Sequence, residues 1–337
     1  MFRRILVLSG IAAATLLAQS SSPATTSVPY TSATGAKIDP NWKPPKTAWG
    51  EPDLQGIWPL NHLIAVPLER PRQYGTKAYL SEDEVAKAQA ALDARNSRFK
   101  GGPIPVADTS TRVMRQTSLI IDPPDGRFPP LTEYGKKLQE QMRSSYRPGQ
   151  TVFDTPADFS AWDRCITRGM PVSMEPRNYN NGIRIMQSPG YVVILLEMAH
   201  EARVIPTNGM PQLDSHIRQW MGESRGHWEG NTLVVETKNF NGLVGLTSAG
   251  VPGSPAPLQP STPDLHIVER FTRVAPDTID FKMTVEDPSV LLSPITIAYP
   301  MYLDNKYEMF EYACHEGNTA VRNYIQTSRY EREHAKK

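Results

Sequence analysis

The second half of the chain alternates apolar and polar residues in short segments that end at turn residues. In the clearest segment, residues 278–286, the side chains of Ile279, Phe281, Met283 and Val285 fall on one face. A period of two is typical of a β-strand with one buried face. This segment therefore predicts a strand that packs one face against a core.

Similar segments, separated by turn residues, predict a series of hairpins. Turn residues stand at Ser188-Pro189-Gly190, at Gly230-Asn231 and at Ala275-Pro276-Asp277. The predicted strands cover residues 183–187, 191–198, 201–206, 227–229, 232–237, 266–273, 278–286, 295–301 and 308–314. Successive antiparallel strands joined by tight turns predict a mainly β fold, an antiparallel meander that forms a lipocalin- or calycin-like β-barrel.

Helices are few, and most are predicted from capping signals. Residues 81–84 form a capping box, Thr132 is an N-cap, and Thr155-Pro156 places a proline at a helix start. The predicted helices cover residues 81–99, 132–144, 155–166 and 319–333.

Proline is abundant, at 31 residues, and fixes many segments as extended or turning. We expect residues 25–50 to be a disordered, proline-rich lead-in. Residues 51–170 are predicted to contain the first strand and a helical, proline-rich insertion. Residues 171–337 are predicted to form the β-barrel-like domain with a C-terminal helix.

The N-terminus carries a short positive region followed by an apolar run from Ile5 to Leu17. This pattern is typical of a secretory signal peptide. The run is shorter than the roughly 20 residues that a membrane-spanning helix needs. Residues 1–24 are therefore predicted to be cleaved, which places the mature chain in the periplasm or outside the cell; a short membrane anchor is the alternative.

Acidic and basic residues are balanced and interleaved, with 36 Lys and Arg against 35 Asp and Glu. The sequence has no basic patch of the kind that nucleic-acid binding requires, so it predicts no nucleic-acid partner. The two cysteines, Cys165 and Cys314, are expected to pair in an oxidising compartment. The alternatives are two buried free thiols, or one reactive thiol beside His315.

Five segments together resemble a large family of exported bacterial proteins described only as hypothetical. They are residues 52–58 (PDLQGIW), 164–169 (RCITRG), 226–237 (GHWEGNTLVVET), 268–271 (VERF) and 312–318 (YACHEGN). The resemblance spans nearly the whole mature chain, and it implies export and a shared fold but no activity. Gly56-Ile57-Trp58 also resembles the Gly-x-Trp that opens the first strand of lipocalin-like barrels.

The usual catalytic and cofactor motifs are absent from the sequence. It contains no Gly-x-Gly-x-x-Gly, Walker loop, Gly-x-Ser-x-Gly, His-Glu-x-x-His or Cys-x-x-Cys-His. The sequence therefore predicts no cofactor, and a divalent metal remains an open alternative.

Two histidine–glutamate neighbours are the candidate catalytic residues. They are His200-Glu201, between two predicted strands, and His315-Glu316, after Cys314. Such pairs can transfer protons, and His200 and His315 are candidate metal ligands. Hydrogen bonding to a turn backbone is the alternative, because adjacent strand residues point to opposite faces.

Two carboxylates fall at apolar positions. Glu269 lies between Ile267 and Phe271 on one strand face, and Glu197 ends the apolar run 191–196. A carboxylate that faces a core is costly unless it is paired. Each is either a ligand-contacting or acid–base group, or one half of a structural salt bridge. The candidate arginine partners are Arg164, Arg168, Arg184 and Arg203.

Several aromatic and amide residues complete the candidate ligand site. Trp228 lies in the strand-rich half, and Tyr179 and Asn180 belong to the polar loop 178–182. Aromatic faces with a few polar anchors form small-molecule pockets, although aromatic residues are equally ordinary core. The candidate ligand-binding residues are Glu197, Glu269, Arg203, Trp228, Tyr179 and Asn180.

Three functions stay open at this point. The first is an exported protein that binds a small molecule in a barrel or cleft. The second is a hydrolase, lyase or isomerase, either cofactor-independent or metal-assisted, that uses His and Glu as acid and base. The third is an envelope interaction protein with the proline-rich lead-in as its contacting surface.

Overall fold

The structure, a computed structural model, describes residues 42–97, 113–247 and 258–335. The predicted signal peptide, most of the proline-rich lead-in and the last residues of the first predicted helix lie outside the described residues. The described residues all belong to one unit of the chain, residues 31–337.

Ten strands in the described part of the chain form two antiparallel sheets. The strands are β1 Gly56–Ile57, β2 Ile120–Asp122, β3 Ile183–Ser188, β4 Tyr191–Leu196, β5 Ala202–Pro206, β6 Glu223–Glu229, β7 Thr232–Lys238, β8 His266–Ala275, β9 Thr278–Glu286 and β10 Ile295–Tyr302. The first sheet has the order β1-β3-β4-β5, and the second has the order β2-β10-β9-β8-β7-β6. The mainly β fold and its antiparallel meander are confirmed.

The two sheets are separate among the described strands, so the lipocalin-like barrel is not confirmed. β5 and β6 are edge strands of different sheets, and no backbone ladder joins them. The strand β1 corresponds to the predicted first strand, and β2 comes from the predicted helical, proline-rich insertion. They pair with β3 and β10, so residues 51–170 supply an edge strand to each sheet.

One apolar core fills the space between the sheets. Ile185 and Ile194 face it from the first sheet, and Phe271 and Phe281 face it from the second. The two phenylalanine rings lie 4.8 Å apart between centroids. The alternation in β9 behaves as predicted, because its apolar positions are buried and their neighbours are more exposed. Burial of these side chains supplies the main driving force for folding.

Three α-helices lie outside the sheets in the described residues: α1 Glu82–Ser97, α2 Glu133–Gln141 and α3 Ala320–His334. Ser81 and Glu84 form the predicted capping box, since each side chain accepts a hydrogen bond from the other's backbone N–H. Thr132 Oγ1 accepts from the N–H of Gly135 at 2.9 Å and starts α2. This helix ends three residues earlier than predicted, because Met142 turns to an extended conformation.

The helix predicted for residues 155–166 is absent. Only Pro156–Asp158 form a 3-10 turn, and Phe159 is extended. The backbone does not continue a helix through this segment, because Phe159 is extended and Cys165 has a left-handed conformation. An α-helix needs right-handed φ and ψ at every residue.

The strand predicted for residues 308–314 is also absent. Its backbone donors bond side chains of the turn after β4 instead of a neighbouring strand. The N–H of Phe310 donates to Glu197 Oε1 at 2.9 Å, and the N–H of Tyr312 donates to His200 Nε2 at 2.7 Å. We call residues 303–318 the strap, because they cross from the end of β10 to the Cys165–Cys314 disulfide.

No helix in the described ranges is both long enough and apolar enough to cross a membrane.

Candidate functional site

A cavity of about 460 Å³ lies beside the sheets. Its walls come from α2, from segment 157–168 and from loops 242–247 and 258–261. Small-molecule sites in proteins typically have volumes of about 300–1,000 Å³. The space between the sheets is packed with apolar side chains, so this cavity, and not a barrel lumen, has the room for a ligand.

Apolar side chains form much of the cavity wall. They include Leu138, Phe159, Trp162, Leu243, Val244 and Leu258. Several of them come from segments without regular secondary structure, so the wall depends on turns for its shape.

The charged side chains of the cavity wall all carry positive charge. They are Arg143, Arg164 and Arg168, and no Asp or Glu is among the described residues of the lining. Neither Arg143 nor Arg164 has a carboxylate within ion-pair distance in the described residues. The wall therefore combines an apolar surface with a concentration of positive charge.

Arg168 is buried at the base of the cavity. Its guanidinium lies over the ring of Trp162, 3.6 Å from the centroid, in a cation–π contact. Burial lowers the pKa of Arg168, and a hydrogen bond from its guanidinium to the Tyr179 hydroxyl acts in the opposite direction. The Trp162 ring also packs against Tyr312 of the strap, with 5.8 Å between centroids.

Asp163 holds two wall segments together. Its Oδ2 accepts from the hydroxyl of Ser144 at 2.9 Å and from that of Ser160 at 2.7 Å. Its Oδ1 accepts from the Ser145 hydroxyl at 2.5 Å. Hydrogen bonds to a charged acceptor are stronger than neutral ones, so Asp163 fixes the end of α2 against segment 157–168.

A second, much smaller space of about 10 Å³ lies behind Arg168. A space of this size is about the smallest that holds one water molecule. Arg168, Glu175 and Arg177 all line it. Glu175 is buried, and neither of its carboxylate oxygens accepts a hydrogen bond from the described residues. Arg177 Nη1 lies 3.8 Å from Glu175 Oε2, which is an ion pair without a hydrogen bond.

Burial dominates the acid–base properties of this pair. It raises the pKa of Glu175 to about 7, although Arg177 and Arg168 lower it. Burial likewise lowers the pKa of Arg177 to about 9. A carboxyl group that titrates near neutral pH is therefore present directly behind the cavity.

We expect Glu175 to make stability depend on pH. Its pKa rises from 4.5 to about 7 on folding, so its contribution is fully present below pH 4.5 and is lost as pH rises to 7. Each pKa unit corresponds to about 1.4 kcal/mol, so the free energy of unfolding should decline by an amount on the order of 3 kcal/mol over this pH range. Urea unfolding at several pH values should show that Glu175→Gln removes this decline.

The control for that measurement is Glu331→Gln, at an exposed position of α3. It should leave the pH profile of unfolding unchanged. If Glu175→Gln and the parent protein decline in parallel between pH 4.5 and 7, Glu175 is not the titrating group.

Glu197, a candidate ligand contact, is saturated by hydrogen bonds within the protein. Its carboxylate accepts from the N–H groups of Gly182 and Phe310, from the Asn180 amide and from the Tyr307 hydroxyl, at 2.8 to 3.0 Å. In the structure it connects β3, the turn after β4 and the strap.

His200 and Glu201 are separated by the bend after β4. His200 is exposed and its Nε2 accepts from Tyr312 of the strap, while Ala199 and His200 both adopt left-handed backbone conformations. Glu201 is largely buried. Burial raises its pKa, whereas hydrogen bonds from Thr167 and Ser173 lower it. No hydrogen bond joins His200 and Glu201 in the described residues.

His315 and Glu316 are exposed beside the disulfide at the end of the strap. Neither side chain forms a hydrogen bond or ion pair with a described residue. Within the described ranges, no group of three or more His, Cys, Asp or Glu side chains could hold a metal ion. Metal binding by His200 and His315 stays a prediction, and metal analysis of the purified protein tests it.

Glu269 and Arg203 form a buried ion pair between the sheets. Arg203 donates from Nη1 to Glu269 Oε1 at 2.8 Å and from Nη2 to Oε2. Arg203 also donates to the hydroxyls of Ser224 and Thr237. Of the arginines considered as partners for Glu269, Arg203 is the one that the structure places opposite it.

The remaining candidate ligand contacts lie in separate places. Trp228 is partly buried and packs against the core. Asn180 donates to Glu197 at 3.0 Å. Tyr179 is about half exposed, stacks on Tyr312 with 6.2 Å between centroids and bonds Arg168. Tyr179 thus contacts a residue of the cavity wall.

The disulfide between Cys165 and Cys314 is present, with 5.6 Å between the two Cα atoms. It joins the strap to segment 157–168, three residues before Arg168 in the chain. The sequence-based prediction of this bridge is confirmed.

Sequence reasoning missed the cavity and most of its residues. The sequence pattern indicates Arg164 and Arg168 only as salt-bridge partners, and it does not indicate Arg143, Trp162 or Asp163 as site residues. A usable signal was present, because residues 160–168 contain two arginines, a tryptophan and an aspartate within nine positions.

Comparison of the chain with protein-family models, with curated proteins and with solved structures gives no match. The resemblance to exported hypothetical proteins therefore stays a prediction.

Proposed function

We propose that this protein is an exported binding protein that holds a small organic molecule in the cavity between α2, segment 157–168 and loops 242–247 and 258–261. The observation that carries the proposal is the cavity itself, with its volume of about 460 Å³ and its wall of apolar side chains with a few polar anchors. This combination is typical of small-molecule sites.

The cavity wall is fixed by contacts on several sides, which supports a preformed site. Asp163 joins Ser144 and Ser160 across the wall. The disulfide attaches the strap to Cys165, three residues before Arg168. Ligands bind more tightly to a preformed site, because less conformational entropy is lost on binding.

Export of the chain is part of the proposal. A disulfide is typical of proteins that fold in an oxidising compartment, and the N-terminal pattern of residues 1–24 is typical of a signal peptide. Mass analysis of protein recovered from the periplasm tests this. Retention of residues 1–24 on that protein would contradict cleavage.

We also propose that the two sheets are halves of an opened, lipocalin-like barrel. The strands from β3 to β10 follow one another in chain order around the two sheets. The N–H of Asp304, after β10, donates to the carbonyl of Ile57 in β1 at 2.9 Å. An experimental structure tests this through the backbone pairing of β5 with β6.

The binding proposal is tested by blocking the cavity. Ala157 lines the cavity and is solvent-exposed, so Ala157→Trp places a large ring in it without entering the core. The probes are 1-naphthylacetate, 4-phenylbutanoate and decanoate, each with its primary amide. In calorimetric titration, we expect the parent protein to bind at least one probe and the variant to bind it at least about 10-fold more weakly.

Ala90→Trp is the matched control, because Ala90 is exposed on α1 and does not line the cavity. It should bind the probes as the parent protein does. Binding of none of the six compounds by the parent protein would contradict the proposal. Unchanged binding by folded Ala157→Trp would remove the cavity as the site.

Among the described residues, no comparable arrangement of side chains supports the enzyme hypothesis or the interaction hypothesis. The enzyme hypothesis proposes a hydrogen bond between His200 or His315 and a glutamate, and the described residues show none for either histidine. The His–Glu hydrogen bonds that they do show, His227–Glu229 and His266–Glu236, lie outside the lining of the cavity. The interaction hypothesis placed its contacts in the proline-rich lead-in, most of which lies outside the described residues.

A further inference from the structure

This inference rests on the proposed function and concerns the class of ligand. We propose that the ligand is an organic carboxylate, an apolar body with one acidic group, and that the cavity arginines bind the acidic group. The inference follows from the charge of the wall, from the engagement of the nearby carboxylates and from the placement of the apolar surface.

The cavity wall carries positive side-chain charge. Three arginines line the cavity, and no acidic side chain of the described residues does. The chain as a whole has nearly equal numbers of basic and acidic residues, 36 and 35. The positive charge of this wall is thus a local feature, and it favours an anion over a neutral or cationic ligand.

Two carboxylates near the wall, Asp163 and Asp158, are already engaged by other donors. Asp163 accepts from hydroxyls of Ser144 and Ser160. Asp158 closes a capping box, and backbone N–H groups of Asp154 and Thr155 lower its pKa more than Arg143 does. Neither aspartate forms an ion pair with Arg143 or Arg164 in the described residues, so both guanidiniums can pair with a ligand.

The form of the guanidinium favours a planar acid. Arginine presents donors in a flat fork that matches the two oxygens of a carboxylate. Arg164 is only partly buried, and its Nε donates to the carbonyl of Ser160 at 3.2 Å. This bond fixes the stem of Arg164, while its terminal nitrogens make no hydrogen bond with a described residue.

The apolar surface lies around the arginines and accounts for the rest of the ligand. Phe159, Trp162 and Leu243 line the same cavity as Arg164. Leu243 is strongly exposed, at 66%, so its side chain is accessible to a ligand in the cavity. An apolar body in this place would cover that surface.

The experiment compares each acid with its amide, using the six probes defined above. Arg143→Gln and Arg164→Gln each remove one charge from a side chain that is not fully buried. Each should weaken binding of the acids about 10-fold and leave binding of the amides within about twofold. The double variant should weaken the acids about 100-fold, and thermal unfolding confirms that the variants fold.

Arg184→Gln is the matched control, because Arg184 is exposed on β3 and does not line the cavity. It should bind both acids and amides as the parent protein does. Equal binding of acids and amides that Ala157→Trp still blocks would overturn the carboxylate inference and leave the binding function standing. Failure of all six probes would contradict both.

Discussion

Replacing Glu269 with glutamine is expected to lower the free energy of unfolding by about 3–5 kcal/mol. Arg203 and Glu269 are both buried between the sheets, and two hydrogen bonds join them. Glutamine keeps the size of the side chain and one acceptor oxygen but removes the charge, so the Arg203 guanidinium is left buried with neutral acceptors only. An unpaired charge in a low-dielectric interior is far more costly than the pair was favourable.

Urea unfolding followed by circular dichroism measures this effect, and the slope with denaturant shows whether the two-state comparison is valid. Glu229→Gln is the control, because Glu229 pairs with Arg270 at 2.6 Å on the exposed side of the same sheet. Solvent screens such a pair, so its loss should change stability little. The double variant Arg203→Met/Glu269→Met should recover most of the lost stability. A loss below about 1 kcal/mol for Glu269→Gln would show that water reaches Arg203.

The sheets could be predicted from the sequence because their signal is local. In β9, alternate residues such as Phe281 and Met283 are apolar, and period-two patterning alone gives both the strand and its buried face. Turn residues such as Gly230 and Asn231 define the hairpin of β6 and β7 equally well. The same patterns say little about whether two edge strands meet, which is why barrel closure stays a prediction.

The strap could not be predicted from its own residues. Its segment 308–314 has the composition of a strand, yet its donors bond Glu197 and His200, more than a hundred residues earlier. Tertiary contacts of this kind override local preference. The same contacts explain why Glu197, placed by sequence at the end of an apolar run, connects chain segments in the structure.

The cavity escaped prediction for a related reason. Its walls come from residues near 140, 160 and 245, and apart from the end of α2 these segments are irregular. No periodicity reports such a surface, because turns held by single side chains such as Asp163 define it. The disulfide is the one long-range contact of this region that sequence could predict, since only two cysteines are present.

Removal of the disulfide is expected to have a similarly large effect, because Cys165 and Cys314 are 149 residues apart. A loop of this length in the unfolded chain predicts a loss of about 4–5 kcal/mol when the bridge is absent. For a chain of this size, that loss corresponds to a decrease on the order of 10 °C in the midpoint of thermal unfolding. Cys165→Ser/Cys314→Ser is the variant to measure.

The effect should extend to the cavity, because the bridge holds segment 157–168 against the strap. Without it, Trp162 loses the constraint that keeps it against Tyr312, and Arg168 beside it becomes less ordered. The double variant should therefore bind the acid probes more weakly even at temperatures where it is fully folded. Reductant should reproduce both effects in the parent protein and have no effect on the variant, which serves as its own control. Equal stability of the oxidised protein and the variant would mean that strap contacts such as those of Glu197 hold this region without the covalent bond.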